Sequence, residues 1–111
     1  MENKKIDAIV DISEKPTLKR VATATGLLIL NPNTISAIKE KRIPKGDVLE
    51  ASTIAAIQAV KSTPVLVPHC HPIPLESCKV DWDFDESSIR CTVEVGANYR
   101  TGVEMEALTG V

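Results

Sequence analysis

The chain has 111 residues, a net charge of −2, 43% hydrophobic residues and 25% charged residues. That is the size of one domain around one core, and the balance is too ordinary for a disordered or low-complexity class. A chain with this charge and only Trp82, Phe84 and Tyr99 as aromatics does not wrap nucleic acid by charge or stack on bases, so no nucleic-acid partner is expected.

Other composition features bound the setting. The longest clear apolar run, residues 27–30, is far too short to span a bilayer, so no membrane partner is expected either. Residues 1–12 lack the apolar stretch of a secretory leader. Three cysteines give no paired framework, and a reducing cytoplasm is the simplest compartment.

Residues 6–12 are apolar with Asp7 and Asp11 interspersed, which suits a strand or an ordered arm, and Lys15-Pro16 marks a turn or extended link. Residues 19–30 alternate Val21, Thr23 and Thr25 with small residues and read as a strand, with Gly26 as a candidate bulge. A first helix follows, capped by Asn31 with Pro32 at its first position and a Leu30–Ile35 staple, ending near Lys41. Asp47 with Glu50 resembles a capping box for a second helix. Its apolar stripe reads Val48, Ala51, Ala55 and Ala59, and residues 62–64 end it. Prolines 68, 72 and 74 forbid a regular helix in the loop after it.

The clearest pattern comes next. Cys78, Val80, Trp82 and Phe84 alternate with charged residues, and after residues 86–88 Ile89, Cys91, Val93 and Val95 alternate with Arg90, Thr92 and Glu94. That is a β-hairpin with one buried and one wet face. Residues 101–108 begin another helix, with Thr101 and Glu104 at capping-box spacing. The order predicts an α+β layer, with helices on one face of a mostly antiparallel sheet.

Three groups of side chains could carry chemistry. His69-Cys70-His71 places three ligand-type residues in a row, but neighbours seldom reach one ion, so no metal site is expected; a proton-transfer histidine fits better, and a packing role for one of the two histidines fits better still. Lys19, Arg20, Lys39, Lys41, Arg42, Lys45 and Lys61 are surface cations by default and an anion site by function, with Lys45-Gly46-Asp47 leading into a helix N-terminus. Glu104 and Glu106 diverge in a helix and share a face in extended backbone; at a junction between the two, both could reach one cleft.

Four stretches together resemble the molybdenum cofactor biosynthesis protein C family, the cyclic pyranopterin monophosphate synthases. They are Val-Asp-Ile-Ser-Glu-Lys-Pro at 10–16, Lys-Gly-Asp-Val at 45–48, Pro-His-Cys-His-Pro at 68–72 and Thr-Gly-Val-Glu-Met-Glu-Ala-Leu-Thr at 101–109. The resemblance implies a ferredoxin-like αβ plait in a hexamer, a trimer of dimers, with active sites at a subunit interface. It implies a lyase that converts 3′,8-cyclo-7,8-dihydro-GTP to cyclic pyranopterin monophosphate with loss of pyrophosphate. The partner is thus a purine triphosphate derivative. No resident cofactor is implied, though a divalent metal ion can accompany the triphosphate.

Carried over by position, the resemblance makes Lys45, His71, Glu104 and Glu106 catalytic. Arg20, Lys61, Cys70 and Arg100 become substrate-binding or site-adjacent positions. His69 stands where the family usually has an aliphatic residue, and Arg100 where it commonly has lysine. The family also implies a further helical segment bearing an aspartate and a lysine, and then a final strand, neither of which these 111 residues contain. A shortened relative that oligomerises and binds purine phosphates without turnover is therefore the competing expectation.

Overall fold

The computed structural model describes residues 2–111. The elements run β1 (Leu18–Ile29), α1 (Pro32–Lys39), α2 (Val48–Lys61), α3 (Thr63–Leu66), β2 (Ser77–Phe84), β3 (Ser88–Tyr99) and α4 (Glu104–Gly110). The sheet order is β1-β3-β2, with β3 antiparallel to both neighbours. A strand, a helical crossover, a hairpin and a returning helix make the α+β arrangement of a ferredoxin-like plait.

The hairpin is where its alternation placed it. Ile89, Cys91, Val93, Val95 and Ala97 of β3 are buried, and Cys78, Val80, Trp82 and Phe84 of β2 lean in beside them. The other side of the sheet stays wet; there Lys79 Nζ lies 3.7 Å from Glu94 Oε2 across a paired position. Two of the three predicted caps form. Asn31 Oδ1 accepts the Asn33 N–H at 2.8 Å, and Asp47 Oδ1 accepts the Glu50 N–H at 3.1 Å.

Several expectations need correction. Gly26 is not in a bulge, because the β1–β3 register is unbroken and Gly26 faces Cys91. A Cβ there would come 3.2 Å from Val111 Cγ2, so the glycine makes room for the end of α4. The first helix stops at Lys39, and Lys41 takes a left-handed turn at φ 57°. In α2 the buried residues are Ala56 and Val60, one position round from the alanine stripe, while Ala51 and Ala55 are exposed. Thr101 does not cap α4; the helix begins after Val103 with no side-chain cap. Of the two readings of residues 6–12, a strand or an arm, the structure shows the arm.

Two side-chain bonds fix how the layers meet. The Trp82 indole N–H donates to Thr53 Oγ1 of α2 at 2.9 Å. At the other end of α2, the fully buried Thr63 hydroxyl donates to the carbonyls of Val60 and Ala59 at 2.9 and 3.1 Å. Its one proton is shared between carbonyls of the last turn, where the chain bends into α3 and the histidine loop.

The central contact is Val60 of α2, Val93 of β3 and Gly110 of α4. A Cβ at Gly110 would meet Val60 Cγ2 at 2.6 Å and Val93 Cγ1 at 3.2 Å, so only glycine lets the two helices close over the sheet here. Val93 is fully buried. Val93→Ala removes two methyl groups and leaves a hole at this point. Chemical denaturation of the variant should read a loss of about 2–3 kcal/mol, without a change in circular dichroism.

Candidate active site

The site grows from the ends of three elements. Beyond Tyr99 the chain leaves β3, passes Thr101 and Gly102, and enters α4 at Glu104. The loop from α3 brings Cys70 and His71 to the same place, and the arm brings Val10, Ile12 and Lys15. Together they line a cleft of about 300 Å³ whose walls include Glu104 and Glu106. The two carboxylates therefore do share one cleft, because the helix starts at Glu104 and its first turn opens onto the loop.

Glu106 is 3% exposed, whereas Glu104 is exposed at the rim. Burial pushes the Glu106 carboxyl above the usual range, and the negative charge of Glu104 adds to the shift, against a backbone hydrogen bond that lowers it. The Glu104 carboxylate lies over Gly102, where a Cβ would collide with it. Gly102 is thus a position where side-chain absence makes space for a site residue.

The loop side is held by backbone and ring bonds. Cys70 N–H donates to the Val67 carbonyl at 3.0 Å. Partial burial, with the charge of Glu106 nearby, pushes the Cys70 thiol up, so it is a poor nucleophile and a shaping residue of the loop. His71 Nε2 bonds the Val10 carbonyl at 2.6 Å, and His69 Nδ1 bonds the Ala8 carbonyl. Among the described residues, no group of three or more His, Cys, Asp and Glu side chains is arranged to hold a metal ion.

The expected cations lie elsewhere. Lys45 sits exposed in the turn before α2, whose first residues pack at the Ile89 end of β3, while the cleft lies past the Tyr99 end. The 14 residues of α2 rise about 21 Å between those two ends. Lys61 borders a separate recess with Leu75, Glu76 and Cys78, where its charge lowers a Cys78 thiol that burial has pushed up. Arg20 Nε donates to the Tyr99 carbonyl at 3.3 Å, and the Arg100 guanidinium lies 5.3 Å over the Tyr99 ring. Arg100 also helps lower the Asp11 carboxyl, though two hydrogen bonds from Ser13 do more. The structure thus joins Cys70, His71, Glu104 and Glu106, sets Arg20 on the Tyr99 carbonyl and Arg100 over the Tyr99 ring, and leaves Lys45 and Lys61 outside the cleft.

Sequence reasoning missed the arm. Val10 and Ile12 form a wall, and Lys15 is the cation that lines this cleft. The run at 10–16 was visible as a motif, but its residues carry no periodicity that says which of them face a site.

Comparison with known proteins decides the family. The sequence pattern described as the MoaC family matches residues 9–111. The chain belongs to the MoaC family. A protein of Pyrococcus horikoshii named probable cyclic pyranopterin monophosphate synthase is 52% identical over 103 residues, which cover 93% of this chain and 65% of that protein. A protein of Archaeoglobus fulgidus with the same name is 48% identical and covered to 66%. One of Methanothermobacter thermautotrophicus, named probable cyclic pyranopterin monophosphate synthase accessory protein, is 48% identical and covered to 65%. The chain thus spans just under two thirds of the length of these curated relatives.

The buried carboxyl gives a pH test of the site. A raised carboxyl value favours the protonated folded state. Its stability contribution is complete below the unfolded value and is lost as pH rises through the folded one. Glu106→Gln removes that dependence. Its melting temperature should match wild type near pH 4 and exceed it progressively at higher pH, as thermal denaturation across pH 4–8 would read. A difference that stays flat over this range contradicts the assignment.

Proposed function

We propose that this protein is a cyclic pyranopterin monophosphate synthase, converting 3′,8-cyclo-7,8-dihydro-GTP to cyclic pyranopterin monophosphate with release of pyrophosphate. The observation that carries the reading is the meeting of His71, Glu104 and Glu106 in one cleft of a MoaC-family chain. The relatives' names support it. Glu104 and Glu106 orient the purine-derived ring and move its protons. A carboxyl that burial has shifted toward its protonated form suits that work, because a proton carrier must hold the proton before it gives it up. His71 is the further donor or acceptor. The cytoplasm is the proposed setting, which suits free thiols at Cys70, Cys78 and Cys91.

The cleft of one subunit is electrostatically incomplete for this substrate. The Glu104 carboxylate stands in it against one lysine, Lys15, too little positive charge for a triphosphate. Lys45 supplies the missing charge from a second copy in the proposed assembly, together with Arg20 and, at the margins, Lys61 and Arg100. These cations hold phosphate oxygens and stabilise the departing pyrophosphate. Any divalent metal ion enters with the triphosphate. An apolar surface beside the cleft supports self-association: Val65 and Leu66 of α3 are 83% and 60% exposed, and Met105 and Leu108 of the adjoining α4 are 41% and 58% exposed. The proposed assembly is a homo-oligomer, with the hexamer as its full form.

The alternative is a non-catalytic relative that oligomerises and binds purine phosphates, and the accessory-protein name of one relative favours it. Turnover of the cyclised GTP substrate separates the readings. Lys45→Ala and Glu106→Gln should each abolish product formation while remaining folded. Mixed after dissociation and reassembly, the two variants should recover roughly a quarter of wild-type turnover, because half of the dimers then carry one intact shared site. A fully active Lys45→Ala variant removes Lys45 from the mechanism. Absence of turnover by the unaltered chain favours the non-catalytic relative.

A further inference from the structure

The N-terminal arm touches the histidine loop through two ring nitrogens. His69 Nδ1 bonds the Ala8 carbonyl and His71 Nε2 bonds the Val10 carbonyl at 2.6 Å. Both pairs are separated by 61 residues, so arm and loop run side by side in one direction with a contact at every second residue, the spacing of extended backbone. A carbonyl oxygen only accepts, so each of these ring nitrogens carries hydrogen. For a neutral His71 the hydrogen is on Nε2 and the lone pair is on Nδ1. His69 carries its hydrogen on the opposite nitrogen.

Something must keep the Val10 carbonyl in place, and the arm has one anchor. Ile6, Ile9 and Val10 are 74%, 48% and 66% exposed, whereas Ile12 is 7% exposed. The chain is pinned just beyond it. Asp11 Oδ1 accepts from the Ser13 N–H and hydroxyl at 2.9 and 2.7 Å, and the Lys15 N–H donates to the Ile12 carbonyl at 3.1 Å. The Val10 carbonyl thus stands two residues from a buried side chain whose own backbone is closed into a turn.

We propose that Ile12 is a positioning residue for His71: it anchors the arm, the arm holds the Val10 carbonyl on Nε2, and the ring is thereby fixed as the tautomer with its lone pair on Nδ1. A proton carrier with a fixed tautomer offers its lone pair from one known atom, whereas a free ring divides its population between two. The catalytic consequence rests on the synthase reading given above. The tautomer itself does not, and it can be read without turnover.

The test is ¹⁵N–¹H long-range correlation NMR of the full chain at about pH 9, where imidazole is neutral. The chain holds two histidines, so one His69→Gln spectrum assigns His71. Wild type should show hydrogen on Nε2 of His71. Ile12→Ala should raise the population with hydrogen on Nδ1 by roughly two- to tenfold, the worth of one hydrogen bond. Ile12→Leu, which conserves volume, should keep the wild-type pattern. If Ile12→Ala loses the fold, Ile12→Val should move the populations the same way by less. Hydrogen on Nδ1 in wild type, or an unchanged spectrum in a folded alanine or valine variant, overturns the proposal. A His71→Ala variant with full turnover, alongside a tautomer that responds to Ile12, refutes the catalytic reading and leaves the anchor standing.

Discussion

Strand β3 is paired on both edges and buried along its inner face, and the rest of the structure is arranged to keep it so. Val93 and Val95 are fully covered. They can be covered only if α2 and α4 close together, and Gly110 against Val60 permits that closeness. Closure has a geometric result at the far end. It brings the start of α4 beside the loop that leaves α3, and the cleft is the space between them. The site is a by-product of how the core is sealed, which is why its carboxylates stand at the first turn of a helix with no side-chain cap.

Electrostatics divides this cleft from the rest of the surface. Glu106 is taken out of water next to another carboxylate, so its neutral form gains. Lys15 is the one lysine that lines the cleft, Arg20 and Arg100 stand beside Tyr99 where the sheet meets it, and Lys45 and Lys61 stand outside it. A chain whose buried carboxyl and Lys45 stand toward opposite ends of α2 is suited to symmetric assembly, where one surface can complete another. The exposed apolar residues of α3 and α4 adjoin the cleft.

Much of the fold was legible because strong local patterns agreed with tertiary demand. The hairpin alternates cleanly, and Asn31 and Asp47 announce their helices by side-chain caps that the structure shows, Asp47 with the first half of its capping box. Legibility failed where the answer depended on a neighbour. The alanine stripe of α2 has the right period, but Val60 and Ala56 win the core because Gly110 approaches that side. Gly26 looked like a bulge because its packing partner, Val111, is 85 positions away in sequence. The site divided along the same line. The histidine loop and the Glu-Met-Glu run stand out as local motifs. Lys15 and Ile12 do not, since an irregular arm carries no period, and the distance from Lys45 to the carboxylates is set by the length of α2 rather than by anything local.

The bond from Trp82 to Thr53 has a practical side. Trp82 is the sole tryptophan, and it packs against both hydrophobic clusters, the one around Val93 and the one around Ile35 and Ile89. Its indole is therefore a natural optical reporter. Fluorescence from this one ring registers the docking of α2 onto the sheet from the joint between the two halves of the core, with no label added. The sheet-and-helix framework can thus be watched separately from the arm and the histidine loop.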